Sequence, residues 1–228
     1  MEKRYSGWRK LDNAALAFPL VTGKNDTRVF RFYCELKENV RPEVLQEALD
    51  QTMEKFPLFR AVLRKGLFWF YLEQRDIRAE VKEERKPPCS RLYIPDKKSL
   101  LFEVTYYQNR INFEVYHALT DGTGAMNFLL ELVQNYLILA NPEAGLSRAV
   151  SEETITAGDQ EEDSFSQYYT SDTPKNKKKK PSAVRLKGEK LAHDEMEIQE
   201  VAVPVKEILA KARSYGASVT AFLSAVLI

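Results

Sequence analysis

From Ile111 to His117 the chain alternates. Ile111, Phe113, Val115 and His117 take one phase, and Asn112, Glu114 and Tyr116 take the other. A period of two marks a strand with unlike faces, and it puts His117 on the apolar face at the last position. The period then changes, because Ala125, Leu129, Leu132, Val133 and Tyr136 recur at helical spacing. Asp121, Gly122, Thr123 and Gly124 lie between the two patterns and suit a tight turn followed by a helix cap. A chain that switches from strand to helix here has to build an α/β structure, and it carries an imidazole to the switch. The sequence has one other histidine, His193.

The flanking sequence supplies elements for such a structure. Residues 5–21 read as a short helix or turn ending at Pro19, and residues 27–36, rich in Val, Phe and Tyr, read as a strand. Pro42 suits the first turn of a helix, with Glu43 favourable near its positive end. Leu45, Ala48, Leu49, Thr52, Met53 and Phe56 give that helix its apolar stripe, and Pro57 stops it. Residues 59–64 and 67–73 read as two strands joined at Lys65-Gly66, and residues 79–83 as a weaker third. Pro87 and Pro88 put residues 86–89 in a loop. Residues 100–107 and 110–117 form a hairpin whose turn is Gln108-Asn109, with asparagine expected to take positive φ.

Beyond Asn141 the composition turns polar. Residues 141–183, with Glu161-Glu162-Asp163 and the four lysines 177–180, read as a mobile connection whose lysine run is solvated. Strands are expected at 183–186 and 195–203, then a helix over 204–215 with Gly216 past its end. A second, strongly apolar helix starts at Ser218.

Composition excludes some classes. Hydrophobic residues are 44% and aromatics 11%, enough for a packed core. Lys and Arg number 34 against 33 Asp and Glu, a formal net charge of +1, so nothing electrostatic points to nucleic acid or an anionic membrane. Cys34 and Cys89 make no metal-ligand spacing, and reduced thiols in a cytoplasmic setting are the simpler reading. The opening MEKRYSGWRK lacks the apolar core of a signal peptide, and no apolar run is long enough to span a bilayer.

Tyr116-His117-Ala118-Leu119-Thr120-Asp121-Gly122 resembles the HxxxDG motif of the chloramphenicol acetyltransferase-like superfamily. That group includes alcohol acetyltransferases, plant BAHD acyltransferases and peptide-synthetase condensation domains. Arg9-Lys10-Leu11-Asp12-Asn13-Ala14, Phe56-Pro57-Leu58-Phe59-Arg60 and the hairpin before His117 are most similar to bacterial alcohol acetyltransferase-like members. Residues 215–223 are similar to the helix that opens the family's second lobe. The resemblance implies an α/β lobe, a two-layer sandwich with a mixed, largely antiparallel sheet and helices on one face. It divides the chain into a motif-bearing lobe at 1–140, a polar linker at 141–183, and a crossover with the start of a second lobe at 184–228. On this reading the chain is a truncated product, expected to self-associate through its open face.

The resemblance implies a chemistry as well. Acyl transfer from acyl-CoA to an alcohol needs a base for the acceptor's proton, and histidine titrates in the right range. His117 is that candidate. Asp121 is expected to turn from the substrate and pair with a cation, Arg60 ahead of Lys55, while Gly122 lets the backbone turn. Tyr116 stands where condensation domains carry an additional histidine, which argues against that subgroup. No permanently bound cofactor or metal is implied.

Other readings compete with these. A lone strand-end histidine is more often a structural hydrogen-bonder than a base, and Asp121 alone reads as a helix cap. Trp8 and Trp69 read as packing residues, and His193 as exposed. The chain as a whole could be a non-catalytic binding or assembly module, or an acyltransferase served by a carrier protein in lipid or peptide assembly. An amine could replace the alcohol as acceptor.

Overall fold

A computed structural model describes residues 7–23, 26–67, 69–95, 97–148, 188, 191–192 and 197–227. The chain divides into two compact units, Met1–Asp172 and Thr173–Ile228.

The first unit contains β1 (Trp8–Lys10), α1 (Ala17–Val21), β2 (Val29–Glu35), α2 (Pro42–Lys55), β3 (Ala61–Lys65), β4 (Phe70–Gln74), β5 (Val81–Glu83), β6 (Phe102–Tyr107), β7 (Arg110–Tyr116) and α3 (Gly122–Ala140). Two sheets form. One is antiparallel, in the order β1-β4-β3. The other runs β2-β7-β6-β5, antiparallel except for the parallel β5–β6 pair. The mixed, largely antiparallel α/β lobe is therefore present, divided between two sheets.

β7 is the strand that positions the motif. Ile111, Phe113 and Val115 are fully buried on one phase, and Asn112 and Tyr116 are fully buried on the other. The apolar phase meets the helices: Phe113 stacks on Phe128 of α3 at 4.7 Å, and Phe59 stacks on Phe128 at 4.4 Å. α2 buries Leu45, Ala48, Leu49, Thr52 and Met53, most of the stripe expected for it. A polar contact links the two helices where both are buried, Asn135 Nδ2 donating to Thr52 Oγ1 at 3.0 Å.

The opposite phase of β7 is covered too, by the loop following β5. The Cys89 N–H donates to Glu114 Oε1 at 2.7 Å, and Tyr93 stacks on Tyr116 at 5.4 Å. Arg31 of β2 reaches Glu114 through Nε at 2.7 Å and pairs with Glu84 as well. Alternation of apolar and polar residues is usually read as one dry and one wet face. Here Glu114 on the polar phase is buried because an arginine and a loop amide satisfy its carboxylate.

Several local expectations are corrected. Pro19 does not end the first helix but sits in the first turn of α1, where an amide hydrogen is not needed. Residues 57–60 form a 3₁₀ turn before β3, and β4 begins at Phe70, leaving Leu67 exposed in the connection. In the β6–β7 turn it is Gln108 that takes positive φ, 52°. Asn109 serves as a tether instead: its Nδ2 donates to the Leu36 carbonyl at 2.7 Å, and its own carbonyl accepts the Leu36 N–H at 2.8 Å. Trp8 and Trp69 are 64% and 53% exposed, so their packing is at the surface, Trp8 meeting Tyr71 edge-on at 6.4 Å.

In the second unit α4 (Val205–Ser214) ends with Gly216 at φ 64°, and α5 (Val219–Val226) is capped by Ser218, whose Oγ accepts from the Ala221 N–H. Residues 197–203 form no strand, against expectation. The strand expected at 183–186, the lysines 177–180 and His193 lie outside the described residues.

Candidate active site at the end of strand β7

His117 follows the last residue of β7 and is half-buried. Its backbone N–H donates to the Arg28 carbonyl at 2.9 Å, which extends the β2–β7 ladder by one bond. Arg28 is itself left-handed, at φ 54°, and Asp26 Oδ1 accepts its N–H at 3.2 Å. A non-glycine residue in that region stores roughly 1–3 kcal/mol of strain, which the surrounding contacts have to offset.

The imidazole lies between two aromatic rings. Phe18 of α1 stacks on it nearly parallel, 4.3 Å between centroids and 14° between planes. Phe30 of β2 meets it at 4.9 Å and 56°. Among the described residues no side-chain or backbone group hydrogen-bonds either ring nitrogen, and neither nitrogen is a buried orphan. The ring is held by its faces.

The loop after it is anchored and capped. Ala118 and Leu119 are buried, and the Leu119 N–H donates to the Tyr116 carbonyl at 2.9 Å. Asp121 caps α3: its Oδ1 accepts the Gly124 N–H at 2.9 Å. The expected Asp121–Arg60 ion pair does not form. Asp121 is exposed and has no cationic partner among the described residues, Arg60 makes no ion pair there, and Lys55 pairs with Glu131 at 2.6 Å. The carboxylate is used up locally, because an N-terminal turn of free amides lies next to it.

Gly122 is also less constrained than its place in the motif implies. A Cβ there would meet only Phe32 Cζ, at 4.0 Å. The steric demand falls on Gly124, where a Cβ would collide with Thr120 Oγ1.

Sequence reasoning missed four participants: Phe18, Phe30, Arg28 and Thr22. Only the aromatic character of residues 18 and 30 is visible in the sequence, and nothing there says that they converge. Thr22 Oγ1 lies 2.7 Å from the Tyr116 hydroxyl. Burial raises the Tyr116 phenol above its ordinary pKa, so it keeps its proton.

Cys34 and Cys89 are both free thiols. Burial raises the pKa of each, helped by Glu35 at Cys34 and by Glu114 at Cys89, which lowers the thiolate fraction. A cavity of about 370 Å³ lies on the polar face of the sheet, lined by Arg31, Glu84, Glu103, Thr105 and Glu114 among others, and by none of the motif residues. Among the described residues no group of three or more His, Cys, Asp or Glu side chains is placed to hold a metal ion, and no helix is long and apolar enough to cross a membrane.

No protein-family model matches the chain, and no curated protein matches it. Solved structures do. A mutant of the starter condensation domain of the rhizomide synthetase RzmA aligns with a TM-score of 0.50 at 13% identity, covering 64% of this chain and 40% of that one. SgcC5 from Streptomyces globisporus aligns at 0.48 and 13% identity, covering 63% of this chain and 39% of its own. Polyketide synthase associated protein 5 from Mycobacterium tuberculosis aligns at 0.46 and 17%, covering 64% and 36%. The RzmA likeness shows a shared fold, in which this chain spans about 40% of the condensation domain's length. Mutants of the RzmA domain have also been solved in complex with C8-CoA.

Proposed function

We propose that this chain is the histidine-bearing lobe of an acyltransferase that moves an acyl group from acyl-CoA to an alcohol, with His117 as general base. One observation carries the reading. His117 is fixed by Phe18 and Phe30 on its faces, yet among the described residues no group takes either ring nitrogen in a structural hydrogen bond. A structural histidine is normally held by its nitrogens; a base has to keep one available.

In this reaction a ring nitrogen takes the proton of the acceptor hydroxyl as its oxygen attacks the thioester carbonyl. The carbon–sulfur bond then breaks, and the imidazolium returns the proton to the departing thiolate. Asp121 does not touch the reacting atoms; it starts α3 and so sets the path of the loop that leaves His117. The division into a lobe at 1–140, a linker at 141–183 and the opening of a second lobe at 184–228 belongs to the same reading.

Acyl-CoA is the first donor to test, since the RzmA domain of the same fold has been solved with C8-CoA. Thiol release from acyl-CoA is measured with a panel of alcohols and amines. His117→Ala should slow turnover by roughly 10²–10⁴-fold and leave the protein folded. Near-parental turnover in that variant would remove His117 from the mechanism. Activity with acyl-pantetheine carrier proteins and none with acyl-CoA would assign the donor to a carrier instead.

The unpaired Asp121 favours a second reading, a non-catalytic binding or assembly module. Absence of thiol release with every donor, together with retained binding of CoA, would favour that module.

A further inference from the structure

α1 is too short to hold itself in place. It has five residues, none of them buried, and an isolated helix of that length is unstable in water. Yet it delivers Phe18 flat onto the His117 ring. Something fixes its end, and the contacts of Thr22 identify it. Thr22 Oγ1 donates to the Phe18 carbonyl at 2.7 Å, and the same oxygen lies 2.7 Å from the Tyr116 hydroxyl. A threonine hydroxyl has one proton. With that proton on the Phe18 carbonyl, Tyr116 must be the donor to Thr22.

Tyr116 is a rigid post for this bond. It is fully buried, packed against Tyr93, and the last residue of β7. Tyr116 and His117 are adjacent and point to opposite sides of the strand line. α1 therefore grips the strand end twice, through Thr22 on the Tyr116 side and through Phe18 on the His117 side.

We infer that the Tyr116–Thr22 hydrogen bond is a clasp that sets the plane of the His117 ring through Phe18, making Tyr116 and Thr22 positioning residues of the site. The inference rests on the acyltransferase reading only for its catalytic consequence; the clasp itself is a statement about the ring.

The test therefore reads the ring and needs no acyl donor. Imidazole proton resonances are recorded for the full chain, with His117 assigned by comparison with His193→Gln. A ring stacked on Phe18 is shielded by it. Tyr116→Phe removes the donor and keeps the packed ring, and Thr22→Val removes the acceptor in nearly the same volume. Each should move the His117 resonances downfield, toward those of Phe18→Leu, and the double variant should shift no further than Thr22→Val, which already removes both bonds of the Thr22 hydroxyl. Unchanged resonances in both single variants, with Phe18→Leu shifting them, overturn the clasp. So do additive shifts in the double variant. If Tyr116→Phe fails to fold, Tyr116→Met, which also lacks the donor and leaves the Thr22 bond to the Phe18 carbonyl intact, takes its place: a downfield shift supports the clasp and an unshifted ring overturns it. A confirmed clasp in a protein whose His117→Ala variant retains turnover would sink the catalytic reading and leave the clasp standing.

Discussion

Gly124 and Gly122 sit two positions apart and carry different constraints. A methyl at Gly124 would strike Thr120 Oγ1, and threonine is stiff at χ1. Gly124→Ala should therefore cost about 1–3 kcal/mol, the usual range for overpacking. Thr120→Ala should recover most of that loss in a double-mutant cycle read by thermal unfolding. Gly122→Ala meets nothing nearer than 4.0 Å and should be neutral or slightly stabilising. Asp121 is a cap, and among the described residues it is not an ion-pair partner. Its replacement by alanine should cost about 0.5–2 kcal/mol, as for other lost N-caps. Breaking a partly buried ion pair would cost about 3–5 kcal/mol. Chemical denaturation separates the two ranges, and a loss in the upper one would mean that Asp121 has a charged partner after all.

At the scale of elements, β2 and β7 are joined by more than their ladder. The Arg31 side chain is 11% exposed and that of Glu114 is 7% exposed, and the guanidinium serves both Glu114 and Glu84. Burial alone lowers the Arg31 pKa, but the hydrogen bonds and charges of the two glutamates outweigh it, so the net direction is up. The arginine is therefore a cation at neutral pH. Arg31→Met would leave Glu114 buried with, among the described residues, the Cys89 amide as its remaining partner. The expected loss is about 3–5 kcal/mol, seen as a shifted denaturant midpoint. Replacing the whole set by apolar residues should cost less, because no charge would then be stranded. Equal losses in the two variants would contradict this account.

For the whole molecule, apolar surface sets the expectation. In the second unit Val201 and Leu227 are each 81% exposed, and Val205 and Val226 are each 68% exposed. Apolar residues presented this openly drive association. Sedimentation should show an average mass that rises with protein concentration, and Val226→Ser combined with Leu227→Ser should reduce the rise. A monomer at all concentrations would show that these residues are not an adhesive surface. Self-association would also provide a ready control for the acyl-transfer assay, since turnover per chain can be followed across the same concentration range.

Local pattern alone was enough to place α2, the β6–β7 hairpin, the strand–turn–helix at His117 and the cap at Asp121. These features depend on neighbours a few positions apart, and the physics of periodicity, prolines and caps acts at that range. Tertiary structure decided the rest. Asn109 looked like the residue for a left-handed turn, but its amide was drawn to Leu36, and Gln108 took the positive φ instead. Asp121 and Arg60 have complementary charge, yet the fold gives the carboxylate a nearer amide. The polar phase of β7 became interior because Arg31, 83 residues from Glu114 in the chain, arrived to neutralise it. Thr22 found Tyr116 across 94 residues. A sequence records which groups are able to bond. Which of them do depends on where the closed chain puts its distant parts, and at His117 those distant parts hold the ring by its faces.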